Sequence, residues 1–390
     1  MPIDESQVTA AVAAVVDPEL RRSLGELGMV GAVRVKRKRV TVELALPVAH
    51  YPQMDELVDR VRQAVSPLPG VDELAVDSDV MEEEPRARLR MLLRGEPVDG
   101  GTQHAADDGH DHAHGGQLGH EEGRPNRFML PRSKTRILGI SSGKGGVGKS
   151  SVTVNLAVAL ARKGFDVGIL DADVYGFSVP KMLGVTTDPL IIGDLVVPPT
   201  ANGVRCLSMG YFVPDDTPVI WRGPMLHKAL EQFLVDAYWG EPDYLLIDMP
   251  PGTGDVTLSL GQYLTKTEVY VVTTPQPAAE RVAQRSAYAA RKLKLAVRGV
   301  IENMSWFTGD DGKRYELFGA GGGQQLADEL GVPLLGQVPL VAALREGGDQ
   351  GKPVMVAEPD GEVAQVFDRM ADSMVELGPA RVYRKELTVR

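Results

Sequence analysis

The stretch that decides the fold spans residues 143–150 and reads Gly143-Lys144-Gly145-Gly146-Val147-Gly148-Lys149-Ser150. It fits the phosphate-binding pattern G-x-x-x-x-G-K-[ST]. An apolar strand-like run precedes it, and a helical pattern over Val152–Ala161 follows it, which is the context that the pattern requires. The glycines let backbone N–H groups turn inward around a phosphate, and the helix N-terminus adds partial positive charge. The stretch therefore predicts a nucleotide-binding P-loop; the alternative is a glycine-rich turn without a ligand.

The polar ends of the loop predict how ATP and Mg²⁺ would be held. Lys149 is expected to reach the β- and γ-phosphates, and the Ser150 hydroxyl to ligate Mg²⁺. Two strand-like runs end in acidic residues, Asp171 and Asp248. Asp248 is interpreted as the Walker B residue that holds Mg²⁺, and Asp171 as a second group near the metal. An aspartate at a strand end is also a common turn former, which is the alternative for each of them.

Composition narrows the class of protein. The 390 residues hold 42 Lys and Arg against 53 Asp and Glu, a net charge of −11, and we expect binding to neither nucleic acid nor an anionic membrane. The absence of an apolar run of about 18 residues argues against a spanning helix. The polar start of the chain does not resemble a signal peptide, and one cysteine cannot form an intrachain disulfide. These observations favour a cytoplasmic protein.

A low-complexity stretch divides the chain. Residues 101–120 are rich in Gly, His and Asp and have almost nothing to bury. The sequence thus predicts a small N-terminal α/β domain over residues 1–95, a disordered linker over 96–127 and a large domain over 128–390. Five histidines of the linker, in H-x-H spacing beside aspartates, predict either a solvated spacer or a loose metal-binding segment: His104, His110, His112, His114 and His120.

The large domain alternates short apolar strands with helical stretches. Continuous apolar strands are typical of a parallel sheet covered by helices on both faces. We therefore expect a doubly wound, mostly parallel α/β fold with its ligand at the carboxyl ends of the strands. The candidate strands are Arg136–Ser141, Val167–Asp171, Tyr244–Asp248, Val269–Thr273, Val297–Ile301 and Leu334–Val338.

The additional lysine in the loop, Lys144, makes the loop similar to the signature of a known superfamily. The run K-G-G-V-G-K-S resembles the deviant Walker A signature of the MinD/ParA/nitrogenase-reductase superfamily. That resemblance implies a homodimer in which Lys144 crosses to the partner's nucleotide and neutralises charge in the transition state. The alternative is that Lys144 only solvates the loop. The resemblance also implies that Asp173 is the switch residue that orients the attacking water. Lys144, Lys149 and Asp173 are thus the predicted catalytic residues.

Longer segments narrow the resemblance to the Mrp/ApbC family. GKGGVGKSSVTVNLA, LDADVYGFSVP, DYLLIDMPPGTGD and VIENMSWF are similar to this family, as are DPEL, ELGMV and LPGVDELAV in the N-terminal block. The resemblance implies a P-loop ATPase that carries iron–sulfur clusters to apoproteins. It also implies that Asn303 recognises adenine and that the segment containing Pro339 packs on the base. A strand-end turn is the alternative for Asn303.

One departure from the family pattern concerns the ligands of the iron–sulfur cluster. Members of the family carry a C-x-x-C pair after the ENMS segment, whereas residues 305–315 contain no cysteine. The remaining thiol, Cys206, lies in an apolar strand-like run and is expected to be buried. The ligands of any cluster are therefore not identified. The alternative function is a cluster-free, ATP-dependent regulatory or positioning switch of the MinD/ParA type.

Overall fold

A computed structural model describes residues 4–96, 126–173, 176–212, 223–252 and 255–380. The histidine-rich stretch 101–120 lies outside these residues. The two alternatives predicted for it, a solvated spacer or a loose metal-binding segment, therefore also fall outside the described structure. Up to residue 96 the secondary-structure elements are α1 Glu5–Ala13, α2 Leu24–Leu27, β1 Val30–Lys36, β2 Arg39–Leu46, α3 Met54–Val65, β3 Glu73–Val80 and α4 Glu83–Arg94.

The elements from residue 126 onward, given in chain order, alternate between strands and helices. They are β4 Arg136–Ser142, α5 Lys149–Arg162, β5 Val167–Asp171, α6 Val179–Leu183, β6 Leu190–Ile192, β7 Leu195–Val197, β8 Thr200–Ala201, β9 Val204–Ser208, α7 Gly223–Val235, β10 Tyr244–Asp248, α8 Asp255–Tyr263, β11 Glu268–Thr273, α9 Pro277–Lys292, β12 Ala296–Asn303, β13 Phe307–Thr308, β14 Arg314–Tyr315, α10 Gly322–Leu330, β15 Leu334–Val338, α11 Ala342–Gln350, α12 Val354–Ala357 and α13 Glu362–Glu376.

Contacts between residues divide the chain into two units. One unit contains the described residues up to 96 together with Pro189–Val197 and Asp236–Gly240. The other contains the described parts of 126–188, 198–235 and 241–380. The first unit thus takes in two segments that come much later in the sequence.

The larger unit is built on an eight-stranded sheet in the order β15-β12-β11-β4-β10-β5-β9-β8. Every pairing in it is parallel except that of the edge strand β8 with β9. The predicted doubly wound, mostly parallel fold is confirmed. In such a sheet the carboxyl ends of the strands lie along one edge, so the residues that follow β4, β5, β10 and β12 come together there.

Helix α5 is buried on nearly all sides. Its residues 152–160 include Val152, Leu156 and Leu160, each at most 1% exposed. They belong to one core with apolar residues of the sheet and of α13, such as Phe367 and Met370. Because a helix that is apolar all round has to be covered on all sides, this burial explains why α5 shows only weak amphipathic character.

The smaller unit has a three-stranded sheet in which β2 pairs antiparallel with β1 and parallel with β3. Its core contains apolar residues of α1, α3 and α4, and also Leu190, Ile192, Leu195, Val197 and Tyr238. The antiparallel hairpin of β6 and β7 thus completes a core that the N-terminal residues begin. No helix among the described residues is long and apolar enough to cross a membrane.

Candidate functional site

The loop 143–148 joins β4 to α5 at the carboxyl edge of the sheet. Gly146 and Gly148 have φ of +77° and +79°, which side chains other than glycine rarely adopt. A Cβ on Gly143 would lie 2.3 Å from the backbone nitrogen of Ala283, so that position has no room for a side chain. The loop lines a pocket of about 180 Å³ together with Ser142, Lys149, Ser150, Ser151, Asp173, Ser178, Met182 and Pro251.

Helix α5 and strand β10 bring together Lys149, which is predicted to bind phosphate, and Ser150 and Asp248, which are predicted to bind the metal ion. Lys149 Nζ lies 2.5 Å from Asp248 Oδ2, and Ser150 Oγ donates to the same oxygen at 2.6 Å. Asp248 is 0% exposed. A hydroxyl beside a carboxylate supplies the hard oxygen atoms that Mg²⁺ prefers, so Ser150 and Asp248 fit the predicted metal site.

A further hydroxyl fixes the other oxygen of this carboxylate. Thr153 Oγ1 lies 2.7 Å from Asp248 Oδ1 and is fully buried. Thr153 follows Lys149 by four residues and therefore lies on the same face of α5. Thr153 lies outside the phosphate-binding motif, which therefore did not identify it; its signal in the sequence is a polar residue at this spacing inside an otherwise apolar helix.

Asp171 is the last residue of β5, the neighbour of β10, and Asp173 follows two residues later. Asp173 carboxylate oxygen Oδ2 lies 3.5 Å from Lys149 Nζ and lines the pocket. Asp171 is 0% exposed, and its carboxylate accepts hydrogen bonds from Ser208 Oγ and from the backbone N–H groups of Asp173 and Val179. Burial, followed by the nearby Asp248 carboxylate, raises the pKa of Asp171 to about 7. These bonds tie the segment after β5 to the ends of α6 and β9.

The remaining predicted residues surround the loop. Lys144 Nζ lies 3.3 Å from Gln276 Oε1, at the start of α9. Asn303, at the end of β12, is 4% exposed and its amide nitrogen lies 2.8 Å from the carbonyl oxygen of Val147. Pro339 is buried directly after β15, which pairs with β12. Gln276 is a second residue that the sequence motifs did not identify, because nothing in its local pattern indicates a contact 132 residues away.

The thiol of the chain does not fit an iron–sulfur cluster. Cys206 lies in β9, is 0% exposed, and pairs with Ile169 inside the sheet. Burial raises the pKa of its thiol well above the ordinary value, and Asp171 and Asp248 add to the effect. Among the described residues no group of three or more His, Cys, Asp or Glu is placed to hold a metal ion.

The segment that replaces the C-x-x-C pair forms a small exposed hairpin. Strands β13 and β14 pair antiparallel, and Phe307 and Tyr315 are 40% and 44% exposed. The Arg314 guanidinium lies 4.3 Å from the centre of the Trp306 ring. This hairpin presents aromatic and charged side chains where the resemblance implied cluster ligands.

The fold and the pocket together define a P-loop ATPase with an additional lysine in its loop. Residues 133–375 match the family described as NUBPL iron-transfer P-loop NTPase, and residues 5–77 match the family described as iron-sulfur cluster assembly protein. The chain belongs to the NUBPL iron-transfer P-loop NTPase family.

Individual relatives agree with this assignment. The iron-sulfur cluster carrier protein of Mycobacterium tuberculosis (strain ATCC 25618 / H37Rv) is 42% identical over 377 residues, which are 94% of this chain and 92% of the relative. The protein of the same name from Bacillus subtilis (strain 168) is 37% identical over 383 residues, 96% and 99% of the two chains. Among solved structures, a nucleotide-binding protein from Archaeoglobus fulgidus in complex with ADP has a TM-score of 0.52 and 33% identity, covering 60% of this chain and 93% of that one.

Proposed function

We propose that this protein hydrolyses ATP to drive the transfer of iron–sulfur clusters to apoproteins. The observation that carries the ATPase half is the convergence of Lys149, Ser150 and Asp248 beside the glycine loop. The cluster half is supported by family membership and by relatives named iron-sulfur cluster carrier proteins. The proposal places the protein in the cytoplasm, where its nucleotide is available.

We propose a task for each charged group at the pocket. Lys149 would bind the β- and γ-phosphates, for which its ammonium has to leave Asp248. Ser150 and Asp248 would hold Mg²⁺, which neutralises phosphate charge when bound. Asp173 lines the pocket and would orient the attacking water. Asp171, whose oxygens accept three hydrogen bonds, would keep the segment bearing Asp173 in place.

A homodimer is part of the proposal. Lys144 reaches Gln276 within its own chain, and we propose that in the dimer it turns to the partner's nucleotide instead. Light scattering of the purified protein with ATP and Mg²⁺ should show a dimer, and Lys144→Ala should lower the rate of hydrolysis. A wild-type protein that stays monomeric at saturating ATP would refute this part of the proposal.

The cluster would be held by thiolates that this chain does not supply. Cys206 is fully buried with a raised pKa, and two copies in a dimer would offer only two thiolates. We propose that external thiols or cysteines of the recipient complete the cluster's ligand shell. The chain would then contribute the nucleotide-driven change in conformation and the surface on which the exchange occurs.

Anaerobic reconstitution tests the cluster half. The protein is incubated with Fe²⁺, sulfide and either glutathione or no added thiol; iron and acid-labile sulfide are then counted per dimer after desalting. Retention that requires the thiol, and is the same in Cys206→Ala, supports the proposal. Iron bound without any thiol would show that the chain has cluster ligands of its own, which contradicts it.

A second candidate is a cluster-free ATPase switch. It is favoured by one observation: the chain has a single cysteine, which is inaccessible, while the phosphate pocket is complete. Loss of all iron on desalting under every condition, with ATP hydrolysis intact, would favour this candidate over the carrier.

A further inference from the structure

The side chain of Asn303 contacts the phosphate loop directly. Its amide nitrogen Nδ2 lies 2.8 Å from the carbonyl oxygen of Val147. Because a carbonyl oxygen only accepts hydrogen bonds, the asparagine must present its NH₂ group there. The same nitrogen would lie 2.2 Å from a Cβ built on Gly148, so the amide is packed against the last turn of the loop.

The backbone of Asn303 is held from the opposite side. Residue 303 is paired with Val338 of β15, and the N–H of Ser305 donates to the carbonyl of Val338 at 3.0 Å. The preceding residue, Glu302, accepts hydrogen bonds from the N–H of Gly323 at 2.6 Å and from Gln337 Nε2 at 2.7 Å. The asparagine therefore contacts the loop from a fixed support.

This contact sets the direction of one peptide group of the loop. The Val147 carbonyl and the Gly148 N–H belong to the same trans peptide, in which the two groups point in opposite directions. Holding the carbonyl toward Asn303 turns the Gly148 N–H away from it. Ser142 Oγ donates to the Lys144 carbonyl at 3.0 Å and fixes a second peptide of the loop in the same manner.

We propose that Asn303 is a positioning residue for the phosphate loop: by binding the Val147 carbonyl it aims the Gly148 N–H at a bound phosphate. This role is separate from any contact with the adenine base. The proposed role of Asn303 rests on the proposed function in one respect only, which is that the protein binds ATP. The affinity of the wild-type protein for ATP tests this requirement separately.

A ligand without the adenine base distinguishes positioning of the phosphate loop by Asn303 from a contact between Asn303 and the base. The dissociation constants of ATP and of ribose 5-triphosphate, both with Mg²⁺, are measured for the wild type and for Asn303→Ala. We expect both ligands to bind about tenfold more weakly to the variant, because the loop loses a buried hydrogen bond. If ribose 5-triphosphate binds Asn303→Ala within twofold of the wild type, the proposal is wrong, whatever happens to ATP.

Asn155→Ala is the matched control. Asn155 is also 4% exposed, and its amide bonds the Ser151 carbonyl and the Met355 N–H rather than the loop. Its loss should leave both dissociation constants within twofold. Should Asn303→Ala fail to fold, Asn303→Asp keeps the size of the side chain and removes the donor. It should weaken the binding of both ligands by at least the same factor, and unchanged binding would overturn the proposal.

Discussion

The ammonium of Lys149 forms a buried ion pair with the carboxylate of Asp248, with 2.5 Å between Nζ and Oδ2. The side chains are 7% and 0% exposed, and the Asp173 carboxylate lies 3.5 Å from the same ammonium. A buried charge that loses its partner costs about 3–5 kcal/mol. A triphosphate that draws Lys149 away must therefore be matched by a cation near Asp248, which explains chemically why ATP and Mg²⁺ would bind together.

The first prediction concerns this lysine. Lys149→Ala removes the cation that faces the phosphates, and hydrolysis should fall by about 10²–10³-fold or more, because charge in the transition state is no longer compensated. Phosphate release per minute measures the effect. Lys163→Ala, at the other end of α5 and paired with Asp372, should keep the wild-type rate. Turnover that survives in Lys149→Ala would mean that hydrolysis occurs elsewhere.

The second prediction concerns Thr153. Thr153→Val keeps the branched shape but leaves Asp248 Oδ1 without this hydroxyl. Groups that orient a metal-binding carboxylate typically change metal affinity by about 10–100-fold. We expect the Mg²⁺ concentration that half-saturates hydrolysis to rise at least about tenfold in Thr153→Val and to return close to the wild-type value in Thr153→Ser.

A buried threonine elsewhere supplies the control for that comparison. Thr257 is 3% exposed, and its hydroxyl has no hydrogen-bond partner within the described part of the chain. Thr257→Val should leave the Mg²⁺ dependence unchanged. Equal Mg²⁺ requirements in Thr153→Val and Thr153→Ser would show that the hydroxyl does not orient Asp248.

The third prediction concerns stability at the amino ends of the strands, away from the edge that carries the phosphate loop. Arg136 Nη2 lies 2.8 Å from Glu268 Oε2, its Nε lies 3.2 Å from Oε1, and its Nη1 donates to the Met374 carbonyl at 2.8 Å. The arginine and glutamate side chains are 9% and 3% exposed. Arg136→Ala should lower the free energy of unfolding by up to about 3–5 kcal/mol, measured in urea, because Glu268 stays buried and is left with the more distant guanidinium of Arg298, at 3.5 Å.

An exposed arginine is the comparison for Arg136. Arg345 pairs with Asp349 at 3.0 Å, but the two side chains are 66% and 61% exposed. Such a pair contributes about 0.3–0.5 kcal/mol, so Arg345→Ala should lie within that range of the wild type. A loss for Arg136→Ala no larger than that for Arg345→Ala would rule out a stabilising role of the buried pair.

The fourth prediction is a pH dependence in the smaller unit. Asp17 is 0% exposed, and burial raises the pKa of its carboxyl above the ordinary 3.8, although the N–H of Leu20 and the Tyr51 hydroxyl donate to it. Between pH 3.8 and its own, higher pKa, the folded state therefore keeps a proton that the unfolded state has lost. The free energy of unfolding falls as pH rises from this value through the folded pKa, and this contribution is constant at higher pH.

Asp17→Asn isolates this contribution, because asparagine has no proton to lose. The stability of the wild type relative to Asp17→Asn should decrease as pH rises from about 3.8, and then level off. Urea unfolding at intervals of half a pH unit up to 8 measures the difference. Two curves that stay parallel over the whole range would show that the Asp17 carboxyl titrates alike in both states.

The sequence predicted those parts of the fold that are determined by residues close together in the chain. Continuous apolar runs such as Tyr244–Asp248 indicated buried parallel strands, and the structure has β10 with the same bounds. The glycine pattern indicated the loop before α5, although the helix begins at Lys149, within the motif itself. The strand character and burial of Cys206 also agree with its apolar neighbours.

Contacts between residues far apart in sequence could not be predicted in this way. The hydroxyl of Thr153 meets a carboxylate 95 residues later, and Asn303 meets a carbonyl 156 residues earlier. Both depend on the order of the strands in the sheet, which places β10 and β12 near β4 and α5. A pattern over ten or fifteen residues carries no information about that order. The roles assigned to the loop residues 143–150 and to Asp171, Asp173, Asp248, Asn303 and Pro339 all remain predictions.

The β6–β7 hairpin in the core of the smaller unit has a consequence for synthesis on the ribosome. Residues 1–95 emerge first, yet Leu190, Val197 and Tyr238 are needed to complete the core that contains Leu20 and Val61. At about 5–20 residues per second, roughly 7–29 s separate the emergence of residue 95 from that of residue 238. During that interval the nascent N-terminal segment would expose apolar surface, which makes it a natural client for chaperones.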